Sequence, residues 1–426
     1  MATAWMAPHW LQPKGVTLTN NHSDIAPLRS TATLRERCNN ILHAVDAGHS
    51  QHFTLDWNQL DAVAGRVEQV TRSQYPDLKI PYHSRWRHFE TGGVNRKVRL
   101  DQALSGLDPS ARACAHIDLT LVSVLLDAGA GADWRYTEDE TGQVLVRSEG
   151  LGVATFHAFM QGVFSSNAAE PCRVDAQALM QMDEARLSTL FQVSERNPLI
   201  GLEGRAHLLR RLGHTLRDHA DAFGADGRPG GLFDLLTLQG KRHQLPAPSV
   251  LEALLDHLSP IWLTGNELSG IPLGDCWPHP LAGGTGVTAG WVPFHKLSQW
   301  LTYSLLEPFE WAGITLTELD GLTGLPEYRN GGLFLDAGVI VPKATDFTSR
   351  HFSAGDEAII EWRALTVALI DALAPRVRQR LQRSAAQMPL ACILEGGTWA
   401  AGRQIARSLR AGGVPPLKIE SDGTVF

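Results

Sequence analysis

Cysteine is scarce in this sequence, and long apolar runs are missing from it. The 426-residue chain has five cysteines, which are widely scattered and never form a CxxC pair. Such a set indicates free thiols in a reducing compartment and argues against a disulfide framework. The first residues lack a basic stretch followed by a long apolar segment, and no apolar run reaches the roughly 20 residues of a membrane helix. We therefore expect a soluble, cytoplasmic protein.

Several chemical motifs are absent as well. The sequence contains no GxSxG nucleophile elbow, no GxxxxGK[ST] phosphate loop and no HExxH zinc pair. The formal net charge of -7 and the pI near 6.2 disfavour proteins that bind nucleic acids or membrane surfaces, since these usually carry a basic face. We expect neither kind of partner. The 38 Lys and Arg residues still leave room for a local phosphate pocket.

Helical periodicity dominates what is present. Apolar residues recur at spacings of three and four through residues 31–48 and 56–74 and through several later segments. Runs of period two are few and short, "GQVLVRS" being the best strand candidate. We predict a mainly α protein with small β elements. Its predicted parts are an N-terminal helical region over residues 1–110, a helical core over 111–382 and a C-terminal segment over 383–426 packed back on the core.

Three segments concentrate side chains that suit a binding site. "HSRWRHFETGG" places Arg85, Arg87 and His88 beside aromatic residues, and Arg forks suit phosphate, although a solvated or salt-bridged turn is the more common explanation of such a segment. "GADWRY" contains Trp134, which either walls a pocket or packs in the core. In "FHKLSQW" a lysine and a glutamine lie one turn apart on a helix, and such a lysine often extends outward to solvent.

The segment "LTGLPEYR" places an acid, a phenol and a guanidinium directly after a short Gly-Pro turn. A solvated loop explains this tripeptide, and a catalytic turn is the alternative. In "GDCWPHP", Asp275, Cys276 and His279 are possible metal ligands, but no second cluster completes a site, so we predict turn residues and no metal. Gly396 and Gly397 are predicted to open a helix, whose free amides either hold an anion or form an ordinary helix start.

In order and spacing, these pieces resemble the queuosine-salvage N-glycohydrolase family, which removes a modified base from a nucleoside 5'-phosphate. That family has a Phe-x-Lys-x-x-Gln helix and a later acid-Tyr-Arg triplet, matched here by "FHKLSQWLTYSLL" (294–306) and "LTGLPEYR" (322–329). "PLIGLEGRAHLLRRLGHTL" and "GDEAIIEWRALTVALIDAL" resemble two further helices of the family, with Glu361 and Arg363 at matching places. The resemblance spans about residues 117–375 and implies an all-helical, DNA-glycosylase-like fold.

Nearly the whole chain also resembles a narrower family, an unassigned-domain protein of the ring-opening route of uracil catabolism. "HSRWRHFETGG", "LLDAGAGADWRY" and "EGGTWAAGR…SDGTVF" carry this second resemblance. That route proceeds through a ribosylurea-type intermediate. The combined resemblance implies a hydrolase that cleaves a ribosylurea-type ribosyl 5-phosphate to urea and ribose 5-phosphate, with no cofactor.

The resemblance also implies roles for particular residues. Glu327 stabilises the positive charge on the sugar or positions the attacking water, and Lys296 orients it or contacts a sugar hydroxyl. Tyr328 and Arg329 hold the phosphate or the ribose. The queuosine family has Asp where this chain has Glu327, one C–C bond of about 1.5 Å longer.

The other side of the implied site is built from residues further up the chain. The queuosine family has an aromatic segment where this chain reads "LVSVLLDAGAGADW", so Asp127 and Trp134 are expected to face a small polar aglycone. Arg85 and His88 are expected near the phosphate, and Gln299 near the substrate. The alternatives are an amidohydrolase acting on the opened pyrimidine ring, with "GDCWPHP" as its metal site, and a non-catalytic scaffold. The sequence does not predict the oligomeric state.

Overall fold

The computed structural model describes residues 24–127, 129–131, 133–262 and 264–420. Within these residues α-helices dominate and every strand is two or three residues long, which confirms the predicted mainly α class. Among the described helices none is both long enough and apolar enough to cross a membrane.

The helices are numbered here in chain order. The first are α1 (Thr31–Asp46), α2 (Leu60–Gln74), α3 (Trp86–Phe89), α4 (Arg96–Ala103), α5 (Pro109–Leu125), α6 (Arg147–Met160), α7 (Ala176–Met180), α8 (Glu184–Leu190) and α9 (Leu202–Asp218). They continue as α10 (Ala220–Phe223), α11 (Gly231–Thr237), α12 (Ala247–Leu258), α13 (Lys296–Trp311), α14 (Tyr328–Asp336), α15 (Glu357–Leu381), α16 (Leu390–Ile393) and α17 (Trp399–Leu409). A π-helical turn, Leu394–Thr398, joins α16 to α17.

The strands form small two-stranded sheets that tie loops together. Antiparallel pairs join β1 (Phe53–Leu55) to β10 (Ile340–Pro342), β2 (Arg135–Thr137) to β3 (Val144–Val146), β5 (Glu267–Leu268) to β6 (Ile271–Pro272) and β7 (Cys276–Pro278) to β8 (Trp291–Pro293). Parallel pairs join β4 (Gln244–Pro246) to β9 (Thr315–Thr317) and β11 (His351–Phe352) to β12 (Lys418–Ile419). In the pair that leads into α13, Cys276 lies opposite Pro293. The predicted strand in "GQVLVRS" is β3.

Capping side chains decide where several helices begin. Ser30 accepts a hydrogen bond from the Ala32 N–H at the start of α1. Asp183 caps α8 in the same way, accepting from the Arg186 N–H at 2.8 Å. The apolar spacing predicts one helix over residues 175–191, but the Asp183 cap starts a new helix, so the structure has two short ones.

Helix α15 lies at the centre of the molecule. Its buried residues surround the helix on all sides, which is typical of a core helix rather than a surface one. It packs against α1 and α2 on one side and against α14 on another. Helix α13 is buried in the same way between α5 and α12. Helix α13 supplies residues that line the candidate site, and α15 packs against α14, which supplies another.

One continuous hydrophobic core includes side chains from all three predicted regions. Leu34 comes from the N-terminal region, Phe156 from the predicted core and Ile393 from the C-terminal segment. The flanking regions therefore pack on the helical centre. The boundaries at residues 110 and 382 remain predictions, as does the DNA-glycosylase-like character of the fold. Residues 1–23 and 421–426, including "SDGTVF", lie outside the described residues.

Candidate active site

A small cavity lies where the starts of α13, α14 and α6 meet the chain that follows α5. Its volume is about 250 Å³, just under the lower end of the range of typical ligand pockets. Five predicted site residues line it, namely His88, Asp127, Lys296, Glu327 and Tyr328. They come from segments up to 240 residues apart, and the tertiary fold brings them together. The cavity is therefore the candidate active site.

Glu327 is both a cavity residue and the N-cap of α14. Its carboxylate accepts hydrogen bonds from the N–H groups of Arg329 at 2.7 Å and Asn330 at 2.5 Å. The side chain is only 6% exposed. Burial raises its pKa, while the two backbone hydrogen bonds and the charge of Lys296 act in the opposite direction. The result is a fixed, poorly solvated carboxylate facing a small polar cavity.

The loop that leads to Glu327 is held down on α13. Gln299, fully buried, accepts a hydrogen bond from the Thr323 hydroxyl at 2.5 Å and donates one to the Phe294 carbonyl at 2.8 Å. The Tyr303 hydroxyl donates to the Thr323 carbonyl at 2.8 Å. Gln299 does not line the cavity. The structure therefore gives it a supporting place under the loop, away from the substrate contact implied by the resemblance.

Lys296 is the first residue of α13 and faces Glu327 in the cavity. Its backbone N–H donates to Asp275 at 2.9 Å, and Asp275 is itself held by Arg363 through two bonds of 2.8 and 2.7 Å. Burial lowers the pKa of the Lys296 amine, and the charges of Glu327 and Asp127 oppose that shift. One amine and two carboxylates thus share the cavity.

Arg85 lies directly behind the cavity and is fully buried. Its guanidinium contacts Asp127 at 2.9 Å, the Ser123 hydroxyl at 2.8 Å and the Ser148 carbonyl at 3.1 Å. Among the described residues, Asp127 Oδ1 and Arg85 Nη2 have no hydrogen-bond partner. Arg85 therefore orients Asp127 rather than lying free for phosphate. The free oxygen of Asp127 suits a ligand that donates hydrogen bonds.

His88 and Arg87 also differ from the predicted phosphate cluster. Burial, followed by the charge of Arg85, lowers the pKa of His88 to about 3, so its imidazole is neutral. Its Nδ1 lies 3.0 Å from Arg85 Nη1 and accepts that hydrogen bond. Arg87 donates to Glu307 at 2.7 Å and does not line the cavity. Since these groups are paired or neutral, the cluster has no free cation for a phosphate.

Two further predicted residues lie elsewhere. Arg329 extends away from the cavity and donates to the Gly413 carbonyl at 2.8 Å, so it joins α14 to the C-terminal segment. Trp134 is fully buried, donates to the Phe191 carbonyl at 2.8 Å and packs against the Phe191 ring. Neither residue lines the cavity, because each is occupied by packing that the local sequence does not reveal.

The cavity also includes residues that the sequence analysis did not select. They include His83, Arg147, Ser148, Trp300 and Trp399. Arg147 is exposed, begins α6 and has a positive φ of 54°. No hydrogen bond or ion pair of Arg147 appears within the described chain. His83 belongs to the segment "HSRWRHFETGG", for which the sequence predicts phosphate contacts by Arg85 and His88.

The segment "GDCWPHP" forms part of β7 and the turn that follows it. Asp275 is occupied by Arg363, and burial raises the pKa of the Cys276 thiol well above its ordinary value. His279 is buried 3.6 Å from Glu361. Across the described residues, no three His, Cys, Asp or Glu side chains are grouped closely enough to hold a metal ion.

The sequence of this chain is similar to those of known proteins. Residues 27–426 match the family described as "Protein of unknown function (DUF1688)". "Uracil catabolism protein 4" of Lachancea kluyveri is 36% identical over 436 residues, covering 94% of this chain and 99% of that protein. "Protein urg3" of Schizosaccharomyces pombe (strain 972) is 39% identical over 417 residues, with the same shares covered.

Proposed function

We propose that this chain, which belongs to the DUF1688 family, acts in uracil catabolism, as the name of one relative suggests. We further propose that it does so as an N-glycoside hydrolase. The proposed substrate is a ribosylurea-type ribosyl 5-phosphate, and the products are urea and ribose 5-phosphate. The resemblance of "FHKLSQW" and "LTGLPEYR" to the queuosine-salvage N-glycohydrolases supports the choice of an N-glycosidic bond. The Glu327 carboxylate, fixed by two backbone N–H groups in a small cavity beside Lys296 and Asp127, carries the proposal.

The chemistry follows from the charge that develops during cleavage. Breaking a ribosyl C–N bond leaves positive charge on the sugar, and a preorganised carboxylate beside the anomeric carbon stabilises it. Glu327 is held rigidly enough for that task, because two hydrogen bonds fix both of its oxygens. The same carboxylate can accept a proton from the attacking water. The charge of Lys296 opposes the rise in the Glu327 pKa that burial causes.

In the proposed site, different cavity residues contact the aglycone and the phosphate. Urea donates hydrogen bonds through its NH groups, and the unpartnered Oδ1 of Asp127 is an acceptor of that kind. The cavity of about 250 Å³ lies just below the usual range of ligand pockets, which favours a compact substrate. Arg147 and Ser148, at the start of α6, are the proposed phosphate contacts, since a helix N-terminus and an unpaired arginine both favour an anion.

The direct test is to incubate the purified full-length chain with ribosylurea 5-phosphate and to measure free urea and ribose 5-phosphate. We expect the two products in equal amounts, in the parent protein and in a chelator-treated sample alike. Glu327→Gln should release far less of both products, and Asp183→Asn is its matched control, because it removes the charge of another helix N-cap that does not line the cavity. Ammonia release that depends on added zinc would replace this proposal with the amidohydrolase. Release of neither urea nor ammonia would favour the scaffold.

A further inference from the structure

A chain of hydrogen bonds reaches the cavity from the C-terminal segment. His83 lines the cavity, and its Nδ1 lies 2.8 Å from Glu395 Oε2. The other oxygen of Glu395 accepts a hydrogen bond from the Tyr75 hydroxyl at 3.1 Å. His83 and Glu395 are 12% and 18% exposed in their side chains, so both are shielded from bulk water. Neither Glu395 nor Tyr75 lines the cavity.

Three neighbours of His83 fix its position against α13. The Tyr82 hydroxyl donates to Glu310 at 2.8 Å, the Ser84 hydroxyl donates to Glu307 at 2.7 Å, and the Arg85 N–H donates to the Ser304 hydroxyl at 2.9 Å. The acceptors are spaced by three along one face of the helix. The segment around His83 is therefore clamped at regular intervals, and the imidazole has little freedom to move.

Glu395 is placed by an unusual turn. It belongs to the π-helical turn Leu394–Thr398, where a helix start with free amides was expected around the two glycines. A Cβ at Gly397 would lie 2.4 Å from Val67, so only glycine allows the turn to pack against α2. Single π-helical turns are rare and often accompany functional sites. Here the turn aims a carboxylate at an imidazole in the cavity.

The hydrogen bonds set the protonation pattern of this group. Burial alone would raise the pKa of Glu395, but the hydrogen bond and charge of His83, with the charge of Arg87, bring its net pKa below the ordinary value. Glu395 is thus an ionised acceptor. It takes the Nδ1–H of His83 and leaves Nε2 as the ring nitrogen available to the cavity. Besides its partner Glu395, His83 shares the cavity with the charged residues Asp127, Arg147, Lys296 and Glu327 and with neutral His88.

We propose that His83 is the catalytic acid that protonates the departing aglycone nitrogen, with Glu395 and Tyr75 as its positioning residues. This inference rests on the proposed function. An unprotonated ureido group is a poor leaving group, so cleavage of the C–N bond needs a proton at that nitrogen. A residue with this task must lie in the cavity and be held by a partner, and His83 meets both conditions. In the proposed step His83 carries a proton on each ring nitrogen, with the Nδ1–H donated to Glu395 and the Nε2–H directed to the substrate.

The step balances without any further reactant. The C1'–N bond breaks, its electron pair goes to the nitrogen, and His83 Nε2–H transfers its proton there to release urea. A water oxygen forms the new bond to C1' and gives its proton to Glu327. Transfer of that proton from Glu327 to His83, through solvent in the emptied cavity, restores both groups. The overall reaction consumes one water and releases urea and ribose 5-phosphate.

The test compares two leaving groups in one site. Ribosylurea 5-phosphate needs a proton on its leaving nitrogen, whereas ribofuranosyl fluoride 5-phosphate releases fluoride as an anion. For His83→Gln we expect kcat with the ureido substrate to fall by about 10²–10⁴-fold, the usual contribution of a general acid, and kcat with the fluoride to stay within a few-fold of the parent. Glu327→Gln should lose activity on both substrates. His207→Gln, an exposed histidine on α9, is the matched control.

The outcomes separate this inference from the proposed function. Equal losses on the two substrates, or full ureido activity in His83→Gln, would overturn the role of His83 while leaving the hydrolase intact. A parent protein that releases fluoride but no urea would instead refute the ureido aglycone, and the inference with it. Glu395→Gln provides a second variant if His83→Gln is unstable. It leaves the imidazole in place and should show the same preference for the fluoride with a smaller loss.

Discussion

Replacing Glu327 by Gln is the sharpest test of the candidate active site. The change removes one negative charge from a side chain that is 6% exposed and nearly preserves its size. If the carboxylate stabilises the charge that forms on the sugar, kcat should fall by about 10²–10³-fold, or roughly 2.7–4 kcal/mol, which is the scale for losing one preorganised electrostatic group. Binding of ribose 5-phosphate should survive, because the phosphate contacts are elsewhere.

The same residue caps α14, so stability must be measured beside activity. Gln offers one carbonyl oxygen where the carboxylate offers two, and one of the N–H groups of Arg329 and Asn330 loses its acceptor. Loss of a helix cap costs about 0.5–2 kcal/mol. Relief from burying a charge acts in the opposite direction, since burial raises the pKa of Glu327. We therefore expect the thermal midpoint to change by roughly 2–4 °C or less.

Glu327→Asp separates the cap from the chemistry. Asp is a good capping residue and keeps the charge, but its carboxylate ends about 1.5 Å short. We expect near-parental stability with activity between those of the parent and Glu327→Gln. The assay is initial-rate release of urea from ribosylurea 5-phosphate, with thermal melts of each variant. Near-parental kcat in a folded Glu327→Gln protein would refute the catalytic role and leave Glu327 as a structural cap.

The remaining predictions concern the phosphate, the metal and acid stability. Arg147→Met should lower kcat/KM for the 5-phosphate by about 10- to 150-fold, because one charge-assisted bond is worth roughly 1.5–3 kcal/mol, and it should have little effect on the free riboside. Arg196→Met, at an exposed site, is the control. Equal losses on the 5-phosphate and the free riboside would contradict the assignment of Arg147 to the phosphate. Chelator treatment should leave the rate of urea release unchanged. A loss of this rate that added zinc restores would contradict the carboxylate mechanism. Burial alone would raise the pKa of Glu138, but hydrogen bonds from Arg96, His157 and Thr141 outweigh it and lower that pKa to about 2. Glu138→Gln should therefore cost about 3–5 kcal/mol of unfolding free energy at pH 7. That difference should shrink from about pH 4.3, the ordinary glutamate value, down to pH 2 in denaturant titrations, and a pH-independent difference would show that the ion pair is not its source.

Local pattern alone was enough to predict the helical class. Apolar spacings of three and four placed α1, α2, α13 and α15 close to where the structure has them. The reason is that apolar residues at these spacings lie on one face of a helix, and that face is buried. The places where this reasoning failed are ends and turns. The cap at Asp183 split one predicted helix, and the π-helical turn after α16 replaced a predicted helix start. The cap and the π-helical turn both depend on particular hydrogen bonds, and the spacing of apolar residues carries no information about these bonds.

The sequence by itself identified Glu327 and Lys296 as candidates, since each stands in a short segment that resembles a known family. Only the tertiary structure decided which of the arginines near the site are paired with a carboxylate. Arg85 is paired with Asp127 and Arg87 with Glu307, whereas Arg147 stands exposed at the cavity. An arginine is available to a ligand only if no carboxylate reaches it first, and the nearest carboxylate can lie hundreds of residues away along the chain. The sequence gives the number and identity of the charged residues, and the fold determines which of them lie close enough to pair.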